Sequence, residues 1–183
     1  MIDIESNSEF DHVVLVDPDD NPLGVEAKLR AHENGGTLHR AFSIFILNAD
    51  NEVLLQRRAL SKYHCAGLWS NSCCSHPRSG RQIPEEARER LMAELGFTTE
   101  LEHIGTRTYK EQLPNGLVEW ELDHLFVGRH FSNTRPNPEE VESIRWVGLD
   151  SLQKELAVNP SAFTPWLPHI LPTFIDWCSE NIG

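Results

Sequence analysis

The segment from Leu117 to Val127 constrains the fold more than any other part of the chain, because apolar and acidic side chains alternate along it. Successive side chains of a β-strand point to opposite faces, so the alternation predicts a strand with one apolar and one acidic face. The acidic face carries Glu119, Glu121 and Asp123. Two interpretations stay open here. The carboxylates bind a hard cation or act as an acid/base pair, or they form the solvated face of an antiparallel edge strand.

Shorter apolar segments predict the other strands. Ala41 to Leu47 and Glu52 to Leu55 flank a short polar segment, which predicts a β-hairpin. A β-rich run from His12 to Asp17 ends in a turn-forming segment, and Ile144 to Val147 predicts another short strand. Residues 56 to 83 show no clean periodicity, and a long irregular segment in a compact domain is usually functional.

The segment from Pro84 to Leu95 predicts a helix. Proline suits the first helical position, Gly96 is a good C-terminal stop, and apolar side chains four residues apart form a buried stripe. Glu94 falls at the edge of that stripe, so its carboxylate points partly inward and requires a partner. Arg90 precedes it by one turn on the same flank.

Two further helices are expected near the C-terminal end, which together with the strands define the fold class. Ser151 to Ala157 predicts one helix, and Thr164 opens another segment that we expect Pro168 and Pro172 to interrupt. Strands and helices are interspersed without a regular βαβ alternation. We therefore predict an α/β or α+β fold, with a mixed sheet flanked by helices, in one domain spanning residues 1–183.

The charge distribution indicates what kind of partner the chain binds. A net charge of -12 argues against nucleic acid, whose binding relies on clustered cations. The segment from Leu54 to Arg90 nevertheless contains seven Lys or Arg residues and three Glu residues. Such a local basic excess favours a small anionic substrate over the alternative of chance clustering on a solvated face.

Composition also suggests a compartment. No run of about 18 apolar residues is present, so no membrane span is expected. The N-terminal residues 1–11 are acidic and polar, unlike a signal or transit peptide, and a cytoplasmic location is expected. Three of the four cysteines are close together and the fourth is distant, which fits a reducing compartment better than a disulfide framework.

The segment from Ser70 to Pro77 places two cysteines beside a histidine. Cys74 is either a reactive thiol whose pKa nearby Arg and His lower, or a buried apolar side chain. A third alternative is a non-catalytic zinc module using Cys65, Cys73, Cys74 and His76. The histidines His32, His39 and His76 could instead converge with Glu119 and Glu121 on one metal ion, which the spacing alone does not establish.

Taken together, these segments resemble type I isopentenyl-diphosphate isomerase, a metal-dependent enzyme family of the Nudix fold. The resemblance extends from about Val13 to Trp166. The residues that carry it are Leu38 to Ser43, Arg57 to Lys62, Gly67 to Pro77, Glu94 to Gly96, Val118 to Glu121 and Ala162 to Trp166. Each segment alone is weak evidence for the resemblance, whereas the order and spacing of all six are specific for this family.

The resemblance implies a role for each matching residue. A first group would hold Mn²⁺ or Mg²⁺, with Zn²⁺ as an alternative ion: His32, His39, His76, Glu119 and Glu121. Glu94 would hold a second Mg²⁺ that bridges the substrate diphosphate, and no flavin is expected. Cys74 and Glu121 would be the catalytic pair with Tyr109 beside Glu121, Glu121 preferred as proton donor and Cys74 as base. The substrate would be bound by Lys28, Arg58, Lys62 and Arg90, with Trp166 over its hydrocarbon end.

The resemblance implies an isomerase that converts isopentenyl diphosphate to dimethylallyl diphosphate, as a monomer or weak homodimer without nucleic-acid or membrane partners. The runner-up is a Nudix diphosphohydrolase, which usually has several glutamates in and before the helix. Here Arg81, Arg90 and Ala93 stand at such positions, and only Glu94 remains. The chain also departs from the isomerase pattern at Cys65–Ala66 and at Ser75, which border the Cys74 segment.

Overall fold

The computed structural model describes residues 12–62, 64–113 and 115–182, in which nine strands form one mixed sheet. Residues 1–11, from which we expected no targeting peptide, lie outside the described residues. The strands are β1 (His12–Val16), β2 (Pro22–Ala27), β3 (His39–Leu47), β4 (Val53–Arg58), β5 (Trp69–Ser70), β6 (Cys73–Ser75), β7 (Leu101–Gln112), β8 (Val118–Arg129) and β9 (Val141–Val147). The helices are α1 (Lys28–His32), α2 (Ile83–Leu95), α3 (Leu149–Val158) and α4 (Leu167–Asn181).

Strand β3 is the centre of the sheet, and eight of its nine residues are buried. It pairs in parallel with β8 along its whole length, from His39 opposite Glu121 to Leu47 opposite Arg129. It also pairs antiparallel with β1, β4 and β6. This combination of parallel and antiparallel pairs confirms the predicted mixed sheet. The predicted hairpin is confirmed as well, because Leu47 of β3 pairs with Val53 of β4.

Helices cover both faces of the sheet. On one face α2 packs its buried stripe, including Leu91, against Phe42 and Phe126. On the other face α4 packs against the sheet, and the rings of Phe45 and Phe174 stack with their centroids 4.3 Å apart. Burying one such side chain contributes about 1.5–3 kcal/mol, so each face is anchored by its own apolar layer.

The predicted helix at Pro84 to Leu95 is confirmed with one additional residue, Ile83, at its start. Gly96 ends the helix with a φ of 74°, in the left-handed region that favours glycine. A Cβ atom at this position would lie 2.6 Å from the carbonyl oxygen of Arg135. Glycine is therefore required both by the backbone conformation and by the close approach of a neighbouring segment.

The structure corrects two expectations about secondary structure and contains a long strand that no sequence pattern predicted. Neither proline interrupts helix α4. Pro168 lies in its first turn, where proline is tolerated, and the helix continues through Pro172 because its buried side chains hold it against the sheet despite one missing hydrogen bond. Residues 56–83 contain the short strands β5 and β6, whose pairing is set by neighbouring strands and not by local periodicity. Strand β7 has no predicted counterpart, since most of its side chains are exposed and show no apolar alternation.

None of the helices in the described ranges has the length and apolarity that crossing a bilayer requires.

Candidate active site

Strand pairing places the candidate residues on one face of the sheet. Residues directly opposite each other on paired strands share a face. His39 of β3 is opposite Glu121 of β8, and Ser43 of β3 is opposite Cys74 of β6. Because side chains alternate along each strand, His39, Ser43, Cys74 and Glu121 all point to the face covered by α4.

Glu119, Glu121 and Asp123 are buried, with 3%, 7% and 0% of their surfaces exposed. The interpretation of a solvated acidic face is therefore wrong. The acidic face of β8 is enclosed because β3 and β7 flank the strand and α4 contacts it. Buried carboxylates require compensation by cations or hydrogen-bond donors, so their environment determines what the site can do.

Five side chains converge on one point, and each offers an atom within 4.8 Å of the others: His32, His39, His76, Glu119 and Glu121. His76 Nε2 lies 2.8 Å from Glu121 Oε1, and His39 Nε2 lies 3.5 Å from the same oxygen. His32 Nε2 lies 3.1 Å from Glu119 Oε2. Residues scattered over ninety positions of sequence are thus brought together by α1, β3, β8 and the segment after β6.

The hydrogen bonds behind this cluster orient two of its imidazoles. Nδ1 of His32 lies 2.6 Å from the carbonyl oxygen of Lys28, and Nδ1 of His39 lies 2.7 Å from that of Thr37. A carbonyl only accepts, so each Nδ1 carries a proton and each Nε2 points into the cluster, where it would present a lone pair to a metal ion once that nitrogen is unprotonated. His39 Nε2 is buried without a hydrogen-bond partner among the described residues.

The cluster fits a divalent metal ion. Imidazole nitrogens and carboxylate oxygens face one another there, and with the rings neutral their lone pairs would all be directed at a cation between them. Burial alone would raise the pKa of Glu121, but His39 and Tyr109 outweigh this and hold its pKa below the usual range. Burial lowers the pKa of His76 well below its usual value. A neutral imidazole and an ionised carboxylate are the states that bind metals.

Tyr109 contacts the side of Glu121 that faces away from the imidazoles. Its hydroxyl donates a hydrogen bond to Glu121 Oε2, while Oε1 faces His39 and His76. Burial, reinforced by the charge of Glu121, raises the pKa of Tyr109 well above its usual value, so the phenol keeps its proton. The two oxygens of Glu121 therefore have separate partners.

Cys74 differs from the expectation for a reactive thiol. Burial raises the pKa of Cys74 to about 12, although the charge of Arg58 acts in the opposite direction. The expected lowering of this pKa by nearby cations is wrong, because burial destabilises the thiolate more than the charge of one guanidinium stabilises it. The side chain is only partly enclosed and lines a cavity.

That cavity opens beside the cluster and is lined by all the predicted site residues other than His32 and His39. Its cationic side chains are Lys28, Arg58, Lys62 and Arg90. Arg90 donates to Glu94 at 2.6 Å, and Gln56 donates to the same carboxylate at 2.9 Å. The partner that the helix pattern required for Glu94 is therefore confirmed as Arg90, with Gln56 as a second donor.

Trp166 contributes a large apolar surface to the cavity lining. It is 4% exposed, its indole nitrogen lies 3.3 Å from Asn71 Oδ1, and the guanidinium carbon of Arg58 lies 5.3 Å from its ring centroid. Asn71 is itself fixed, because its amide donates to the carbonyl oxygens of Ile44 and Cys73. The indole plane is thus held in a defined orientation beside the cations.

Comparison with known proteins identifies the family. The NUDIX domain family model matches residues 37–167. The chain is 45% identical over 159 residues to Isopentenyl-diphosphate Delta-isomerase of Serratia proteamaculans, covering 87% of this chain and 88% of the relative. It is 48% identical over 171 residues to Isopentenyl-diphosphate Delta-isomerase 1 of Aromatoleum aromaticum, covering 93% and 96%.

This chain belongs to the isopentenyl-diphosphate Delta-isomerase family of Nudix proteins. Solved structures support the fold. The crystal structure of DR0079 from Deinococcus radiodurans superimposes with a TM-score of 0.66 at 16% identity, covering 80% of this chain and 89% of that one. A MutT protein from Methanosarcina mazei Go1 gives 0.62 at 18% identity, covering 80% and 96%.

The glutamates of α2 have different surroundings in this isomerase-family chain. Glu94 lines the cavity, whereas Glu86 and Glu89 pair with Arg78 and Arg81. Arg81, which replaces an expected glutamate, thus joins an ion-pair group outside the cavity lining. Of the seven cations counted from Leu54 to Arg90, three line the cavity, Arg58, Lys62 and Arg90, and two form ion pairs near the start of the helix, Arg78 and Arg81.

The cysteine-based zinc module is excluded by strand alternation. Cys73 packs into the apolar layer under α2, while Cys74 packs toward the α4 side. Neighbouring residues on a strand point to opposite faces, so the two thiols diverge. Among the described residues, the cluster suited to a metal contains no cysteine.

Sequence reasoning missed His64 and Glu140. His64 Nε2 lies 3.1 Å from Glu119 Oε1, and its ring centroid lies 6.1 Å from that of Trp166. Glu140 accepts hydrogen bonds from Arg90, at 2.7 Å, and from Lys62. The only sequence signal for His64 was its position two residues after Lys62, and Glu140 had none because its partners are distant in sequence.

Proposed function

We propose that this protein isomerises isopentenyl diphosphate to dimethylallyl diphosphate in isoprenoid biosynthesis. The observation that carries the proposal is the convergence of the five-residue His/Glu cluster, Cys74, cavity cations and a buried indole in a member of this isomerase family. Each part corresponds to one requirement of the reaction: a charged substrate, two proton transfers and a cationic intermediate.

His32, His39, His76, Glu119 and Glu121 would hold one Mg²⁺ or Mn²⁺, and Zn²⁺ also suits this donor set. Glu94, which lines the cavity next to Arg90, would hold a second Mg²⁺ together with the diphosphate. When bound, such ions supply positive charge that makes a coordinated carboxyl group more acidic and neutralises phosphate oxygens. Two of these ligands, His32 and His39, are oriented by the contacts of their Nδ1 atoms with backbone carbonyl oxygens.

The cations around the cavity would bind the diphosphate. Arg58, Lys62 and Arg90 converge there from β4, the loop after it and α2, and Lys28 approaches from α1. Arginine offers paired donors that match phosphate oxygens, and lysine adds compact charge. Binding energy from this end of the substrate would orient the alkene between Cys74 and Glu121.

The reaction moves one proton in and one proton out. The terminal CH₂ carbon of the alkene gains a proton and becomes a methyl group, leaving a tertiary carbocation on the adjacent carbon. Loss of a proton from the next carbon, on the diphosphate side, forms the new double bond. Cys74 and Glu121 would be the two groups that exchange these protons, with Tyr109 holding Glu121 Oε2.

Trp166 would stabilise the carbocation. An indole face attracts a cation, by about 2 kcal/mol or more when the pair is desolvated. The residue is 4% exposed and lines the cavity, so it would also help to exclude water that could capture the cation as an alcohol. Its bond to Asn71 maintains the ring orientation.

The direct test is incubation with isopentenyl diphosphate and Mg²⁺ in deuterated water, with and without EDTA. We expect dimethylallyl diphosphate carrying deuterium in its methyl groups, and no product with EDTA. Release of inorganic phosphate or diphosphate in place of isomerisation would instead establish the runner-up, a Nudix diphosphohydrolase. Absence of both deuterium uptake and product with the metal-loaded protein would refute the proposal.

A further inference from the structure

Two further histidines lie close together outside the candidate active site. His103 of β7 and His124 of β8 have their Nε2 and Nδ1 atoms 3.4 Å apart, and their ring centroids are farther apart at 5.4 Å. The two nitrogens therefore lie on the facing edges of the rings. His124 and Glu121 differ by three positions along β8, so their side chains occupy opposite faces of the sheet.

The protonation pattern of His124 leaves a lone pair directed at His103. Nε2 of His124 lies 3.0 Å from Asp20 Oδ2, and an ionised carboxylate only accepts hydrogen bonds. Nε2 therefore carries the proton and Nδ1 of the neutral ring is unprotonated. Arg40 fixes the carboxylate through its Nε, 2.7 Å from Asp20 Oδ1, and through a second bond to the backbone oxygen of Asp20.

From this geometry we infer a second metal site, in which His103 Nε2 and His124 Nδ1 bind one borderline-soft divalent transition metal ion such as Zn²⁺, Ni²⁺ or Cu²⁺. Metal–nitrogen bonds of about 2.0–2.1 Å at a tetrahedral angle separate two nitrogens by roughly 3.3 Å, close to the observed spacing. Imidazole nitrogens select these ions over Mg²⁺ or Ca²⁺.

Asp20 acts as the positioning residue of this site. A histidine that binds a metal usually donates its other ring N–H to a carboxylate, which fixes the tautomer and makes the ligand more basic. Asp20 has a φ of 66°, an uncommon conformation for a residue other than glycine, and two bonds from Arg40 hold it there. His103 is exposed, so water completes the coordination and the ion exchanges with solvent.

We expect this site to bind a metal ion more weakly than the five-residue cluster does, because it offers two protein ligands instead of five. Binding at the pair requires no change of the active-site face. Loss of the pair is therefore expected to leave isomerase turnover unchanged, which separates this inference from the proposed function.

Calorimetric titration of the EDTA-treated full chain with Zn²⁺ tests the site. We expect one strong and one weaker equivalent in the parent protein and in the control His130→Gln, and only the strong one in His103→Gln. Asp20→Asn is expected to weaken the second equivalent roughly tenfold to a hundredfold. Nitrogen chemical shifts of the two rings provide a second measurement, and zinc should move them in the parent protein.

Equal stoichiometry and affinity in His103→Gln and the parent protein would overturn the inference. So would unchanged ring shifts of His103 and His124 at saturating zinc, which would identify the 3.4 Å contact as a hydrogen bond between two imidazoles. Because His103 is on the surface, His103→Ala should fold as the parent protein does, and it should lose the weaker zinc equivalent in the same way as His103→Gln.

Discussion

His64 Nε2 lies 3.1 Å from Glu119 Oε1, whereas His32 contacts the other oxygen of this carboxylate, Oε2. Glu119 is therefore held between two imidazoles, one inside the five-residue cluster and one outside it. Burial lowers the pKa of His64, so its ring is neutral at pH 7 and donates one N–H. This outer contact fixes which oxygen of Glu119 faces the cluster.

We predict that His64→Ala weakens divalent metal binding by roughly tenfold to a hundredfold without removing a ligand. The cause is rotational freedom of the Glu119 carboxylate. Metal affinity by titration with Mn²⁺ is the measurement, with His130→Gln as a control outside the site. An unchanged affinity in His64→Ala would show that the contact does not position Glu119.

Substitutions of Cys74 and of His39 are predicted to affect turnover and metal content differently. Cys74→Ala should lower turnover by roughly 10²–10⁴-fold while metal content stays at the parent level, because the thiol would exchange a proton and bind no metal. His39→Ala should lose both turnover and metal, since its Nε2 faces the cluster. Steady-state kinetics and elemental analysis distinguish the two, with Cys178→Ala as the thiol control. Substantial turnover in Cys74→Ala would assign the proton transfer to another group.

Glu140 is predicted to compete with the substrate diphosphate. Its carboxylate accepts hydrogen bonds from Arg90 and Lys62, two cations that we propose bind phosphate oxygens. Glu140→Gln removes this internal anion, and we expect inorganic diphosphate to bind roughly tenfold more tightly. Calorimetry with Mg²⁺ present measures the change. Glu139→Gln, at the neighbouring exposed position, is the matched control, and weaker binding in Glu140→Gln would contradict the prediction.

Glu86 is predicted to give stability that acid removes. Burial would raise its pKa, but hydrogen bonds from Arg78 and Arg81 outweigh this and lower it to about 2, from an ordinary value of 4.5. A folded-state pKa below the unfolded one gives stability that is fully present above about pH 4.5 and lost as the pH falls toward 2.

Urea unfolding of the parent protein and Glu86→Gln tests this sign. We expect the variant to have the lower free energy of unfolding at pH 7, and the difference to shrink as the pH falls from 4.5 to 3. The exposed Glu85→Gln is the control in the same helical turn. A difference that stays constant across this range would mean that Glu86 contributes through packing and not through its charge.

Much of the architecture could be predicted because local patterns have local causes. The alternation along β8, the spacing of apolar residues in α2 and the glycine at position 96 each fix an element through backbone geometry and side-chain direction. Strand β7 and the run of α4 through Pro172 could not be predicted in this way. Their conformations depend on pairing with β8 and on burial against the sheet, which are contacts distant in sequence.

The sequence by itself determined which residue types were available and the family they resemble, including the three imidazoles and two carboxylates of the cluster. Only the tertiary structure decided that these groups converge and that the acidic face of β8 is buried. It also decided that His64 contacts Glu119 and that Glu140 contacts cations of the cavity. The physical reason is register. Pairing His39 with Glu121 across parallel strands brings together atoms that lie more than eighty residues apart, and no local pattern encodes that distance.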